Sequence, residues 1–249
     1  LLKEKGASYG SKAGWERPYF FVSKHNRAAE ALTFEKPNWF DCVGKEHKAV
    51  RERVALIDQT SFSKFRISGP GALDLLQYLA VSNIDKPIGK IIYTQFLNSR
   101  GGIEADLTIS RTGEEEFYIV TGSAFGVHDR SWIEKHSPCD DSVVIDDLTE
   151  EFGVINLCGP HARDVLQNVT DDDISNETLP FSSYADIRVA GHPVRAMRIG
   201  YVGELGWEMH MGRENMPAVY KALTEAGSKY DIADVGYRAI DSLRMEKGY

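Results

Sequence analysis

Residues 69–77 read "GPGALDLLQ" and residues 159–167 read "GPHARDVLQ". Laid on each other at an offset of 90 residues (159 − 69), they share Gly, Pro, Ala, Asp, Leu and Gln in register, and Ile84 falls on Ile174. A strand-like run precedes each copy, "KFRIS" or "GVINLC", and a helix-like run follows, "ALDLLQYLA" or "ARDVLQNVT". Glycine supplies the sharp strand-to-helix turn. Proline suits the first helical turn, where its missing N–H is no loss. A hairpin pattern comes next in each copy. The first, "IIYTQFLNSRGGIEADLTIS", turns near Gly101-Gly102; the second, "IRVAGHPVRAMRIG", turns near Gly191-His192. Helix-like "FGVHDRSWIEKH" and "MPAVYKALTEAGSKY" close the halves. Strand, helix, hairpin, strand, helix, written twice, predicts an α+β protein of two related halves about a pseudo-twofold axis. The seam between such halves is where a ligand is expected.

The bulk composition narrows the function classes. The 249 residues carry 37 acids against 29 bases, a net charge of −8, which argues against general nucleic-acid binding. No run approaches the roughly 20 apolar residues of a membrane helix. Cys42, Cys139 and Cys158 form no CxxC pair, the histidines no HxxxH, so neither a disulfide framework nor a metal site is expected. The chain opens at Leu1 in a helical pattern, "LLKEKGASYGSKAG", and ends in another, "VGYRAIDSLRMEKGY". A fragment of a longer protein is expected.

The stretch "YVGELGWEMH" (201–210) places Glu204 and Glu208 among glycines and aromatics. With "VRAMRIGY" and "WEMHM" as paired strands and Gly203–Gly206 as the turn, Tyr201 lies across from Glu208, and Val202 pairs with Trp207 on the other face. Glu204 is then a solvated turn tip. In the first hairpin Ile103, Ala105, Leu107 and Ile109 alternate on one face and Glu104, Asp106 and Thr108 on the other. A turn at Arg100-Gly101 puts Tyr93 across from Thr108 and diagonal to Asp106. Two tyrosine–carboxylate sets suit a flat heterocycle with adjacent N–H and NH₂ donors. A carboxylate accepts both donors and aromatic rings cover the faces; a pterin has that edge. A second carboxylate could move a proton at an amine.

These blocks resemble the aminomethyltransferase (glycine cleavage T-protein) family of tetrahydrofolate-binding proteins. The likeness rests on "GWERPYFF" (14–21), "VALIDQTSFSKFRISGPGAL" (54–73), "YTQFLNSRGGIEADLTIS" (93–110), "YVGELGWE" (201–208) and "AIDSLRMEKGY" (239–249). The wording is closest to the folate-binding half of sarcosine and dimethylglycine dehydrogenases. The resemblance implies two T-protein-like halves around a central folate pocket, with the family's C-terminal barrel absent. It divides the chain into 1–60 with 150–235, and 61–149 with 236–249. It implies Asp106 as the catalytic carboxylate and Glu208 as the reader of the pterin edge, with Tyr93 and Tyr201 as pocket tyrosines. The implied ligands are tetrahydrofolate and an iminium from a small N-methyl amino acid, giving 5,10-methylenetetrahydrofolate. FAD is implied only in a missing N-terminal half, since no GxGxxG occurs here. The implied location is a bacterial cytoplasm or the mitochondrial matrix. The chain departs from the family pattern at Ile240, where an arginine is usual, with Arg238 about 200° round the helix. It departs again at Ser110 and Ala105, in place of a tyrosine and a second aspartate. Two alternatives stand beside this reading: a free-standing aminomethyltransferase acting on a lipoyl carrier, and a regulatory module that keeps the fold without the chemistry.

Overall fold

The computed structural model describes residues 1–22 and 30–249. The chain opens with β1 (Ala7–Lys12), β2 (Trp15–Phe21), α1 (Phe40–Glu52) and β3 (Ala55–Asp58). Then come β4 (Ser63–Ser68), α2 (Ala72–Leu79), β5 (Ile91–Leu97), β6 (Ile103–Arg111), β7 (Glu116–Thr121), α3 (Gly126–His136) and β8 (Val144–Asp147). The second run is β9 (Phe152–Cys158), α4 (Ala162–Gln167), β10 (Tyr184–Val189), β11 (His192–Met197), β12 (Gly206–Gly212), α5 (Met216–Gly227), β13 (Ala233–Val235) and α6 (Tyr237–Lys247). The opening "LLKEKGASYGSKAG" is not helical as its composition suggested. A turn leads into β1, which pairs with β2.

β1 and β2 form a hairpin; the other strands form two sheets. Their orders are β5-β6-β7-β4-β8 and β10-β11-β12-β9-β3-β13. The repeat governs even the register. Arg66 faces Tyr118 in one sheet, and Asn156 faces Glu208 at the same offset in the other. Phe96 faces Ala105, and Asp186 faces Arg195. The fifth strand of each order is exchanged between the halves: β3, which precedes β4 in the chain, pairs with β9, while β8, which precedes β9, pairs with β4.

The two glycines of the repeat make this exchange possible. Gly71 N–H donates to Ser142 O and His161 N–H to Arg53 O, each at 3.0 Å, so each turn is stitched to the strand arriving from the other half. Gly69 has φ +111° and Gly159 φ +121°, values that side chains rarely adopt. A Cβ there would stand 2.4 Å from Ser142 O or 2.6 Å from Arg53 O. The links that cross between the sheets match as well. Val154 N–H donates to Thr60 Oγ1 at 3.1 Å, and Lys64 N–H to Thr149 Oγ1 at 3.0 Å.

Strand alternation gives each sheet an apolar outer face. Phe65, Ile67, Leu107, Ile109, Phe117 and Ile119 pack with Leu75 and Leu76 of α2 and Ile133 of α3. Ile155, Leu157, Trp207, Met209 and Met211 pack with Val165 and Leu166 of α4 and Val219 and Leu223 of α5. Each such side chain contributes about 1.5–3 kcal/mol on burial. The inner faces, which carry Lys64, Arg66, Tyr118, Asn156, Arg195, Glu208 and His210, turn toward each other. A bridge at Lys90 and Ser183 and a small cluster of Ile91, Tyr118, Val120 and Met197 join them. A third cluster, with Phe20, Val43, Val50, Ile57, Ala239 and Leu243, fixes β2, α1 and α6 beside β3 and β13. There α6 packs on α1 and β2. The helix α6 thus packs beside β3 and β13 of the six-stranded sheet. The cause is the apolar stripe Ala239, Ile240 and Leu243, buried in that cluster.

Candidate functional site

The β5–β6 hairpin puts Tyr93 opposite Thr108, as the sequence predicts, and Gln95 opposite Asp106. Ala105 and Leu107 enter the core, so Asp106 is left on the inner face, exposed to solvent. Tyr93 is diagonal to Asp106 on the same face, and the carboxylate, followed by burial, raises the tyrosine's pKa. Gln95 Nε2 donates to Asp106 Oδ1 at 3.1 Å. Gln95 escaped the sequence reading, although its place opposite Asp106 follows from the same register.

The second hairpin corrects the sequence reading. β11 stops at Met197, and Met197, not Tyr201, stands opposite Glu208. Tyr201 lies in the loop 198–205. Val202 is buried in the cluster of α1 and α6, while Trp207 is buried in the cluster of α4 and α5, so the two do not pair. The reason is a competing anchor on α1. Arg51 Nη1 donates to Val202 O at 2.6 Å and to Glu204 Oε1 at 2.9 Å. Arg51 Nη2 donates to Leu243 O at 3.0 Å, and Nε to Glu246 Oε2 at 3.0 Å. Glu204 is therefore no solvated tip but a half-buried partner of Arg51. Pulled toward α1 and α6, the loop stacks Tyr201 on Tyr249, with ring centroids 5.8 Å apart.

Tyr93 and Asp106 thus share the inner face of one hairpin, while Tyr201 stands on the loop 198–205. Glu208 has other neighbours: Met197 and Asn156 across the strands, and His210 two residues along β12. The Glu208 side chain keeps 14% of its surface exposed. Beside it Tyr118, from β7 of the other sheet, hydrogen-bonds His210 Nδ1 at 2.9 Å. Burial lowers the pKa of His210, with Glu208 pulling it up and Lys64 and Arg195 pushing it down. Arg195 also lies over the rings of Tyr118 and Tyr184, at 5.4 and 4.8 Å. Three buried polar atoms on these inner faces, Ser110 Oγ, Asn156 Oδ1 and His210 Nε2, have no hydrogen-bond partner among the described residues. Buried polar atoms are nearly always satisfied, so an orphaned set marks a place for a ligand or water. The sequence reading missed Tyr118 and His210; Tyr118 stands at the repeat offset from Glu208 and was open to the same comparison.

The departures from the family pattern have clear placements. Ile240 is core, 5% exposed. Arg238 pairs with Glu30 and lies over the rings of Tyr19 and Trp39. Ala105 is core, and Ser110 is buried. A separate cavity of about 190 Å³ is lined by Phe21, Ile57, Asp58, Met216, Tyr220 and Asp234, among others, and by none of Tyr93, Asp106, Tyr201 or Glu208.

Comparison with known proteins bears on this arrangement. The chain is 38% identical over its whole length to the mitochondrial dimethylglycine dehydrogenase of Mus musculus, of which it spans 28%. All of it also matches the mitochondrial sarcosine dehydrogenase of Homo sapiens, at 38% identity and 31% of that protein's length. In structure it superposes along its whole length on 61% of the glycine cleavage system aminomethyltransferase T of Bartonella henselae, with a TM-score of 0.81 and 26% identity. The family model described as the GCVT N-terminal domain matches residues 1–249, and the chain belongs to that family.

Proposed function

We propose that the facing inner surfaces of the two sheets bind tetrahydrofolate, and that the chain is the one-carbon transfer part of an enzyme oxidising an N-methyl amino acid. The observation that carries this is Glu208. Its carboxylate lies on a polar face beside the orphaned buried atoms of Asn156 and His210, with its surface partly open, and the orphaned Ser110 Oγ stands next to Tyr118 on the other sheet. Those groups fit a ligand with a flat, donor-rich edge. Glu208 would accept the paired donors of the pterin, while Tyr93 and Tyr201 supply aromatic cover. When bound, tetrahydrofolate supplies the amines that take up a one-carbon unit from an iminium as 5,10-methylenetetrahydrofolate.

Asp106 is the group placed for proton movement. It is exposed on the inner face, with Gln95 Nε2 donating to its Oδ1 and Tyr93 diagonal to it on the same hairpin. A carboxylate held in this way can take a proton from an attacking amine, and favours a nearby cation. The relatives are several times longer than this chain; on this reading the oxidation of the amine, with an FAD, takes place outside these residues. Mitochondrial matrix or bacterial cytoplasm is the location that goes with this reading; among the described residues no helix is long and apolar enough to cross a membrane.

The experiment is Asp106→Ala in the intact protein, with amine oxidation and methylenetetrahydrofolate formation followed separately. Amine oxidation should persist. Methylenetetrahydrofolate formation should fall by roughly 10²- to 10⁴-fold, the usual effect of removing a general acid–base group, with free formaldehyde released instead. An unchanged rate would make Asp106 structural. A wild-type protein that transfers from a lipoyl-carried aminomethyl group, or that binds folate without turnover, would favour the alternatives of free-standing aminomethyltransferase or regulatory module.

A further inference from the structure

We infer that Tyr118 and His210 form a buried pair, spanning the two sheets, that positions the carboxylate of Glu208 for its ligand. The inference rests on the reading of Glu208 as the residue that accepts the folate edge. Strand alternation puts Glu208 and His210 on the same inner face of β12, and Tyr118 on the inner face of β7. Tyr118 is 3% exposed and His210 1%. The Tyr118 hydroxyl bonds His210 Nδ1 at 2.9 Å, and the two rings meet edge to face with centroids 5.5 Å apart. On its other side, His210 Nε2 stands 4.0 Å from Glu208 Oε2 and has no hydrogen-bond partner among the described residues.

This geometry selects one tautomer. Burial keeps the phenol of Tyr118 protonated. The carboxylate beside Nε2 favours a proton on that nitrogen. The Tyr118 hydroxyl then donates to Nδ1, and Nε2–H points at Glu208. The imidazole stays neutral at neutral pH, since burial, Lys64 and Arg195 outweigh the pull of Glu208. At 4.0 Å the N–H makes no hydrogen bond, but it is a fixed dipole aimed at one carboxylate oxygen. A free glutamate loses rotamer freedom when it engages a ligand, and a glutamate already oriented loses less. His210 touches no ligand in this account; it acts through Glu208.

A purely structural role, cross-linking the sheets, predicts different behaviour, and one set of variants separates the two. In the intact protein, tetrahydrofolate is titrated calorimetrically into wild type, His210→Leu, His210→Gln, Tyr118→Phe, Glu208→Ala and Glu208→Ala/His210→Leu, with a thermal melt for each. His210→Leu should weaken binding on the order of tenfold, the cost of ordering one long side chain on engagement. His210→Gln, whose amide can place an N–H near the Nε2 position, should recover most of that. Tyr118→Phe, which keeps the shape and frees Nδ1, should weaken binding by less. Once Glu208 is alanine, His210→Leu should have no further effect on affinity. The inference is overturned if His210→Leu weakens binding equally with and without Glu208, if His210→Gln is as weak as His210→Leu, or if His210→Leu binds like wild type. Wild-type affinity in Glu208→Ala alone is a different failure, because it removes the folate reading of Glu208 and this inference with it.

Discussion

Lys64 has no exposed surface. Its ammonium donates to Thr60 O at 2.8 Å, and burial lowers its pKa to about 8, against the opposing pull of Asp58 and Asp147. A lysine whose folded pKa lies below its unfolded value holds its proton longer in the unfolded chain. Stability therefore rises with pH between the folded value near 8 and the ordinary value of 10.5. Tyr118 and Tyr220 work in the opposite direction above the ordinary tyrosine value of 10.0, because burial raises both. Cys158, whose thiol is pushed by burial from 9.0 up to about 12, does the same from pH 9, but these groups are common to wild type and Lys64→Met and cancel in the difference between them, which is read from pH 8 to 10. Across that range, wild type should gain on the order of 2 kcal/mol relative to Lys64→Met, read from denaturant midpoints. Parallel pH profiles for the two proteins would show that Lys64 keeps its proton and that its burial is offset by partners other than those named.

Among the elements, the loop 198–205 departs most from the repeat. The offset that aligns β4 with β9 and β7 with β12 fails between β11 and β12, because Arg51 holds this segment against α1 and α6. Arg51→Met keeps the aliphatic stem and removes the donors to Val202 O, Leu243 O, Glu204 and Glu246. A loss of about 1.5–3 kcal/mol in stability is expected, with faster amide exchange confined to 198–205 and weaker folate binding through Tyr201. Unchanged exchange there would show that the loop is held by packing alone. The same loop marks the limit of what the sequence disclosed. The β5–β6 register was legible, since strict alternation from Ile103 to Ile109 and the paired glycines fix it. So was the repeat, since Gly69 and Gly159 answer one backbone requirement. The register around Glu208 was not, because the anchor that breaks it lies on α1, far away in sequence and inside an unremarkable helical pattern. Nor was the exchange of β3 and β8, which depends on hydrogen bonds donated to Arg53 O and Ser142 O that no local pattern announces.

The whole molecule is two sheet-and-helix halves that trade a strand and meet along polar inner faces. The trade makes each half incomplete without the other, which keeps the seam in register and holds groups from both sheets at fixed separations. Tyr118 from one sheet and His210 from the other, at 2.9 Å, are the plainest instance. Asp106 comes from the five-stranded sheet and Glu208 from the six-stranded one. A site divided in this way can assign recognition to one half and proton movement to the other. The central claim is that this seam receives a reduced folate through Glu208. Its most direct test is a calorimetric titration of tetrahydrofolate into the intact protein, wild type against Glu208→Ala. The account predicts saturable binding to wild type and a dissociation constant roughly 10- to 150-fold higher in the variant, the equivalent of about 1.5–3 kcal/mol for hydrogen bonds to a charged group. Equal affinity in the two proteins, with both still folded, would contradict it.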